Sequence, residues 1–309
     1  MRDSARETGD AARTAFDRRL GEIRPALHRY AARMTGSALD GEDVVQDALV
    51  HALAAFNGAS PLENVDGWLF RITHNAAIDF LRGRSRRGAA LPLDMAGAVT
   101  AVDDTASRIA SRAALRAFMQ LPPQPRSAVI LKDVLGHSND EIGAILGATL
   151  PAVKAALHRG RAQFKLLAEA GGERPLPTLD NDQLARLARY VDRFNAHDFD
   201  GVRAMLSEDV RFDLVTRARS VGRSAITSYF TNYRGIDDWH LRIGLVDGQL
   251  AVIMTDPRTG TSNPTNIIAL DWAGDSVSRI RDFRYARYVL DGAEIVLLPQ
   301  VGQRRLTGA

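Results

Sequence analysis

Apolar residues in the first half of the chain recur three and four positions apart, whereas in the last third they alternate, so the pattern predicts helices first and a sheet afterwards. Helical stretches run from Phe16 to Thr35, from Glu42 to Ala55 and from about Val65 to Arg82, punctuated by Gly36, Gly58 and Pro61. Residues 88–106 are rich in Gly and Ala without periodicity and read as a linker. Helical pattern resumes from about Ser107 to Met119.

The next run, Leu121 to Lys165, lays two short amphipathic helices around a glycine turn. Ser138 and Glu141 have capping-box spacing, and Ile142, Ile145 and Leu146 form one apolar stripe. Gly147 suits a left-handed exit, Thr149 can cap the following helix, and Pro151 is tolerated in its first turn. Leu150, Val153 and Leu157 then make the expected inward face. Lys154, His158 and Arg161 recur on an adjacent face, flanked by Arg159 and Lys165, with no acid among them. This is the layout of a helix-turn-helix whose second helix offers cations to phosphates and base edges. An αα-hairpin with a solvated charged surface has the same periodicity.

Gly171 to Asp182 contains two glycines and two prolines and marks a second boundary. Beyond it Leu184, Leu187, Val191 and Phe194 share a helix face, and Phe199 to Leu206 reads as a short second helix. Val210, Phe212 and Leu214 alternate, as do Leu241, Ile243 and Leu245; Leu250 to Met254, Asn266 to Trp272 and Val277 to Val289 add further extended runs. Helices followed by a mostly antiparallel sheet indicate an α+β domain.

A chain of 309 residues has room for two or more domains. Apolar content of 45% and charged content of 25% are ordinary for a soluble protein, and no apolar run is long enough to span a bilayer. Met1 to Asp10 is polar and mixed in sign, unlike a signal peptide, so a cytoplasmic location without membrane attachment is expected. The chain has no Cys, which removes disulfides, thiolate zinc sites and a Cys nucleophile, and the histidines show no metal-ligand spacing. Neither a metal nor a cofactor is expected. A net charge of +3 says little by itself. Its distribution says more, because the first 175 residues hold 23 basic and 20 acidic residues while the remainder is balanced. Asp40, Glu42, Asp43 and Asp47 form an acidic block, and Arg82, Arg84, Arg86 and Arg87 a basic one.

The helix containing EDVVQD points Val45 and Leu49 inward and is expected to place Asp43, Gln46, Asp47 and Val50 outward. In the third helix Asn75, Asp79 and Arg82 share a face, with Trp68 and Phe80 as rings and a basic tail behind them. Aromatic residues beside cations fit single-stranded nucleic acid, since a ring stacks on an extruded base while arginine screens the backbone. Trp68 fits a core position as readily as a stacking platform.

The order of an EDVVQD helix, a WLFRITHNAAIDFLR helix, a linker and LPPQPRSAVILKDVLGHSNDEIGAILG with a basic reading helix resembles the extracytoplasmic-function group of bacterial sigma factors over about residues 12–168. The resemblance implies two all-α domains, 12–87 like sigma region 2 and 107–168 like region 4, the second carrying the helix-turn-helix. It implies core RNA polymerase and promoter DNA as partners. Asp43, Gln46 and Asp47 would dock on the polymerase. Asn75, Asp79 and Arg82 would lie near the minus-ten element, with Trp68, Arg84, Arg86 and Arg87 as further DNA-binding residues, and Lys154, His158, Arg159 and Arg161 would read the minus-thirty-five element. ALVHAL stands where relatives commonly place an aromatic, and the reading helix begins LPAVKAAL, so the promoter sequence does not carry over.

After a linker at 169–182, residues 183–300 are similar to SnoaL-like domains of the NTF2-like superfamily. That implies a cone built from helices and a curved antiparallel sheet, with a pocket for a small-molecule ligand, and in sigma factors of this group a role in controlling activity. Asn195, Asp213, His240 and Asp282 are the polar groups available to such a pocket. His197 followed by Asp198 reads as a helix terminus rather than a catalytic dyad. Two other readings stay open: an operator-binding regulator independent of polymerase, and a small-molecule isomerase or hydrolase with an appended DNA-binding module.

Overall fold

The computed structural model describes residues 2–56, 64–86, 118–170, 179–259 and 263–299. The linker expected at 88–106, Arg87, and most of the helix expected from Ser107 lie outside these residues, as do 171–178 of the second boundary. Described residues before 171 form one compact unit and those from 179 another.

The first unit is helical. Helices α1 (Arg2–Thr35), α2 (Ala38–Ala55) and α3 (Val65–Arg86) pack side by side, and α4 (Pro123–Val129) runs through a π-helical turn at Ile130–Val134 towards α5 (Asn139–Leu146) and α6 (Leu150–Ala170). Gly36 turns the chain between α1 and α2 with φ +80, and Ser37 caps α2 by accepting from the Asp40 amide at 3.2 Å. At Gly41 a Cβ would stand 2.6 Å from the Ala32 backbone, so only glycine lets α2 approach α1 this closely. Because α1 and α3 both flank α2, its buried arc is wide and takes in Glu42 and Gln46 as well as Val45 and Leu49. Leu27, Tyr30, Met34, Leu69, Ile130 and Leu131 are fully buried in the core of this unit. Burying such side chains is worth about 1.5 to 3 kcal/mol each.

Side chains join α1 and α3 to α4. The Tyr30 hydroxyl lies 2.7 Å from His74 Nδ1 and donates to Ser127 Oγ at 3.2 Å, and buried Arg126 donates to the carbonyls of Met34, Met119 and Leu121. The helix-turn-helix follows the expected local rules. Ser138 and Glu141 close a capping box at 3.2 and 2.7 Å, Gly147 leaves α5 with φ +63, and Thr149 Oγ1 accepts from the Ala152 amide. Leu150, expected inward, is 40% exposed; the inward face of α6 is made instead by Val153, Ala156, Leu157 and Gly160, with Phe164 packed against the same core.

The second unit packs α7 (Asn181–Asn195), α8 (Phe199–Ala204) and α9 (Thr227–Arg234) against a seven-stranded sheet. Its strands are β1 (Leu206–Leu214), β2 (Ala218–Val221), β3 (His240–Val246), β4 (Gln249–Thr255), β5 (Pro264–Ala273), β6 (Ser276–Asp282) and β7 (Ile295–Leu297), in the order β2-β1-β6-β5-β4-β3-β7. Leu187, Tyr190, Val191 and Phe194 of α7 enter an aromatic core with Phe199, Phe230 and Trp239. The sheet is mixed rather than wholly antiparallel: β1 and β6 run parallel, pairing Phe212 with Ile280 and Leu214 with Asp282. Alternation within a strand reports its two faces and not the direction of its neighbour. The extended run expected from Val277 to Val289 stops at Asp282, after which α10 (Tyr288–Gly292) is helical, and Leu206 belongs to β1 rather than to the short helix.

Candidate functional site

Helix α6 carries its cations outward. Lys154, His158, Arg159, Arg161 and Lys165 are all exposed, while Val153, Ala156, Leu157 and Gly160 turn into the unit. A groove of about 480 Å³ runs beside this face, lined by Lys132, Asn139, Lys154, Leu157, His158, Arg161 and Lys165. The face is not free of acid, as expected from its own helix, because Asp133 of the π-helical turn binds Arg161 with both oxygens at 3.0 and 2.6 Å. That fork raises the Arg161 pKa through its hydrogen bonds and fixes α6 to the preceding turn.

On α3, Asn75, Asp79 and Arg82 are exposed along one side, and Asp79 pairs with Arg82 at 3.4 Å. Arg86 is exposed at the end of the helix, but Arg84 is drawn in: it pairs with Asp40 at 3.6 Å, sits over the Phe80 ring at 5.6 Å, and its pKa falls with burial against the pull of Asp40. Trp68 is half-buried, packed on the helical core with its ring 6.2 Å from Phe16. Along α2, Asp47 and Val50 are exposed and Asp43 is half-buried. Gln46, expected beside them, is only 5% exposed, for α2 is flanked by a helix on each side.

The four polar groups nominated for a C-terminal pocket do not converge. Asn195 exchanges two 2.9 Å hydrogen bonds with the backbone of Leu241, tying the end of α7 to β3. Asp213 faces Arg219 and Arg279 at 3.4 and 3.8 Å, and His240 is half-buried at the start of β3. Asp282 is completely buried and accepts four hydrogen bonds, from Tyr229 and Tyr233 hydroxyls at 2.8 and 2.9 Å, from Asn266 at 2.7 Å and from the Arg284 amide at 2.9 Å. Burial beside this carboxylate raises both tyrosine pKa values well above the ordinary range. A carboxylate so fully engaged has no lone pair directed at a substrate. As the helix-terminus reading requires, His197 follows α7 with φ +57 and Asp198 caps α8 through the Gly201 amide at 2.8 Å. No group of acids and histidines able to hold a metal occurs among the described residues.

The matched family models repeat this order: Sigma-70 region 2 over residues 21–87, Sigma-70 region 4 over 111–164 and a SnoaL-like domain over 187–288. An extracytoplasmic-function RNA polymerase sigma factor of Mycobacterium tuberculosis, SigM of the Erdman strain, is 34% identical over 167 residues, covering 53% of this chain and 81% of its own. The chain belongs to the extracytoplasmic-function sigma factors. SigE of Mycolicibacterium smegmatis is 37% identical over 165 residues, covering 51% of this sigma factor and 63% of its own length, so the match spans less than two thirds of that relative. SigG of Mycobacterium tuberculosis H37Rv is 27% identical over 311 residues and spans 91% of this chain and 84% of its own.

Within this sigma factor the exposed faces of α3 and α6 lie in the regions 2 and 4. The SnoaL-like region coincides with the second unit. No helix among the described residues is long and apolar enough to cross a membrane.

Proposed function

We propose that this sigma factor binds core RNA polymerase in the cytoplasm and directs it to promoters, with its SnoaL-like unit controlling that activity. The carrying observation is the cationic outer face of α6, Lys154, His158 and Arg159, on the second helix of a capped helix-turn-helix. In the major groove these side chains meet phosphates and base edges of a minus-thirty-five element, and Arg161 stands behind them on Asp133. Asn75, Asp79, Arg82 and Arg86 on α3, with Trp68 behind them, meet the minus-ten element where the strands part. Asp43 and Asp47 on α2 supply the charge of the polymerase-docking face, and Gln46 supports it from within.

The second unit acts as a controller rather than an enzyme, since its buried carboxylate Asp282 is consumed by hydrogen bonds. A ligand or a change of contact there shifts the chain between arrangements that differ in promoter use. Transcription in vitro with purified core enzyme, the full chain and a chain ending near Glu173 tests both parts. Specific initiation by either chain, at different levels, is the expected result. Failure of both chains to program any start site refutes the sigma assignment, and equal output refutes the controller.

A further inference from the structure

We propose that Asp133 is a positioning residue for promoter DNA: it fills one edge of the Arg161 guanidinium, so that the other edge is presented to a phosphate at the rim of the major groove. The inference deepens the reading of α6 as the DNA-facing helix and rests on it.

The pair ties α6 to the turn ahead of the helix-turn-helix. Asp133 lies in the π-helical turn, which Leu135 closes by donating its amide to the Ile130 carbonyl at 3.1 Å. Both of its oxygens are taken by Arg161, from Nε at 3.0 Å and from Nη2 at 2.6 Å. Among the described residues Lys154, Arg159 and Lys165 make no such pair. A guanidinium holds five N–H donors in one plane, so this side-on fork leaves Nη1 and the second hydrogen of Nη2 directed away from Asp133. That edge is accessible: the Arg161 side chain is 54% exposed and lines the groove of about 480 Å³ beside Lys132, Lys154 and Lys165, whose walls include no acid.

Position decides what that edge meets. Arg161 stands about 16 Å from the start of α6, at about 1.5 Å per residue, whereas the major groove is about 12 Å wide. A helix entering by its first turns therefore meets bases with its earlier side chains and the bounding strand with Arg161. The fork also draws the guanidinium towards the turn before α5, the helix that crosses the backbone in this motif. Arg161 accordingly sets how deep α6 sits, and because Asp133 has already ordered the side chain, little rotamer freedom is lost on contact. Charge alone predicts the opposite effect of removing Asp133. Deleting an acid beside a polyanion strengthens binding, whereas losing a positioning group weakens it.

The test uses the full chain assembled with core polymerase, on a fragment selected from a pool randomised over the minus-thirty-five element and on its single-base variants. Arg161→Ala is expected to weaken binding to every fragment alike and to make the slope of log K against log salt shallower by about 0.9, the signature of one phosphate. Asp133→Asn should weaken binding at least about twofold, with no further loss in the Arg161→Ala background. Asp133→Glu, which keeps the acceptor pair, should fall between Asp133→Asn and the natural chain. Stronger binding by Asp133→Asn, an equal loss in the absence of Arg161, or a changed base preference in Arg161→Ala overturns the proposal. Circular dichroism checks that Asp133→Asn is folded; if it is not, Asp133→Glu decides by the same signs. Arg159→Ala separates the two readings: if it too leaves binding unchanged, α6 does not face DNA and both fall, whereas a loss there with none in Asp133→Asn removes the positioning role alone.

Discussion

Arg126 donates from Nη1 to the carbonyl of Met34 at 2.5 Å, so a guanidinium on α4 closes the last turn of α1. Among the described residues no carboxylate pairs with it; the charge rests on main-chain oxygens, that of Met34 at a helix C-terminus where the dipole favours a cation, and burial lowers its pKa to about 10. Arg126→Leu should therefore leave several buried carbonyls unmatched and destabilise the helical unit by about 2 to 4 kcal/mol. Urea unfolding followed by Trp68 fluorescence checks this, and a loss below about 0.5 kcal/mol would contradict the role.

Acid should loosen the same unit. Burial lowers the His28 pKa to about 4, against the pull of its bond to the Ala38 carbonyl, and lowers that of His74 to about 4 where it meets Tyr30. Both folded values lie below the ordinary one, so the unfolded chain binds more protons between about pH 4 and 6.5. Stability is full above that window and falls through it as pH drops, by at most about 3 kcal/mol for each histidine. Unfolding curves at several pH values should show the slope, and His74→Gln should flatten it; an unchanged slope in that variant would remove His74 from the account.

In the second unit, Asp282→Asn replaces an acceptor of four hydrogen bonds with a group that carries two donors of its own. The Tyr229 and Tyr233 hydroxyls then face an amide, and a loss of about 3 kcal/mol is expected. Tyr229→Phe, which removes one of four partners, should cost about 1 kcal/mol. Calorimetric melting of the full chain measures both, and a neutral Asp282→Asn would show that the network contributes nothing.

Promoter binding should separate the cations of α6. Lys154→Ala and Arg159→Ala each remove an exposed cation and should weaken promoter use by about 1 to 3 kcal/mol if they touch base edges. Arg161→Ala removes a partner of Asp133 too, so part of its effect should appear as lost stability of the helix-turn-helix, about 0.5 to 1 kcal/mol. Salt titrations of promoter complexes formed with core polymerase distinguish these outcomes. Wild-type behaviour of Lys154→Ala and Arg159→Ala together would move DNA reading off this helix.

Asp47→Arg should impair association with core polymerase, because it reverses the charge of the most exposed acid on the proposed docking face. Co-elution at the wild-type level on gel filtration would exclude Asp47 from that face.

Local rules made the helix-turn-helix legible: Ser138, Glu141 and Gly147 act on neighbours a few residues away and do what their spacing predicts. The cations of α6 and the polar side of α3 were visible for the same reason. What escaped depends on distant segments. Gln46 is buried by the helices on either side of α2, Arg161 is claimed by a carboxylate 28 residues earlier, and the direction of β1 beside β6 is set across the whole second unit. The relation between two of the nominated pocket residues was hidden for the same reason, since Asp213 and Asp282 lie on adjacent strands at neighbouring register positions and so project from opposite faces.

The parallel joint of β1 with β6 also orders events during synthesis. Leu206 cannot meet Val277 until most of the second unit has left the ribosome, whereas the helical unit is built largely from segments that emerge before it. A nascent chain thus presents the proposed promoter-reading surfaces before its sheet is closed, and any restraint that sheet imposes arrives late.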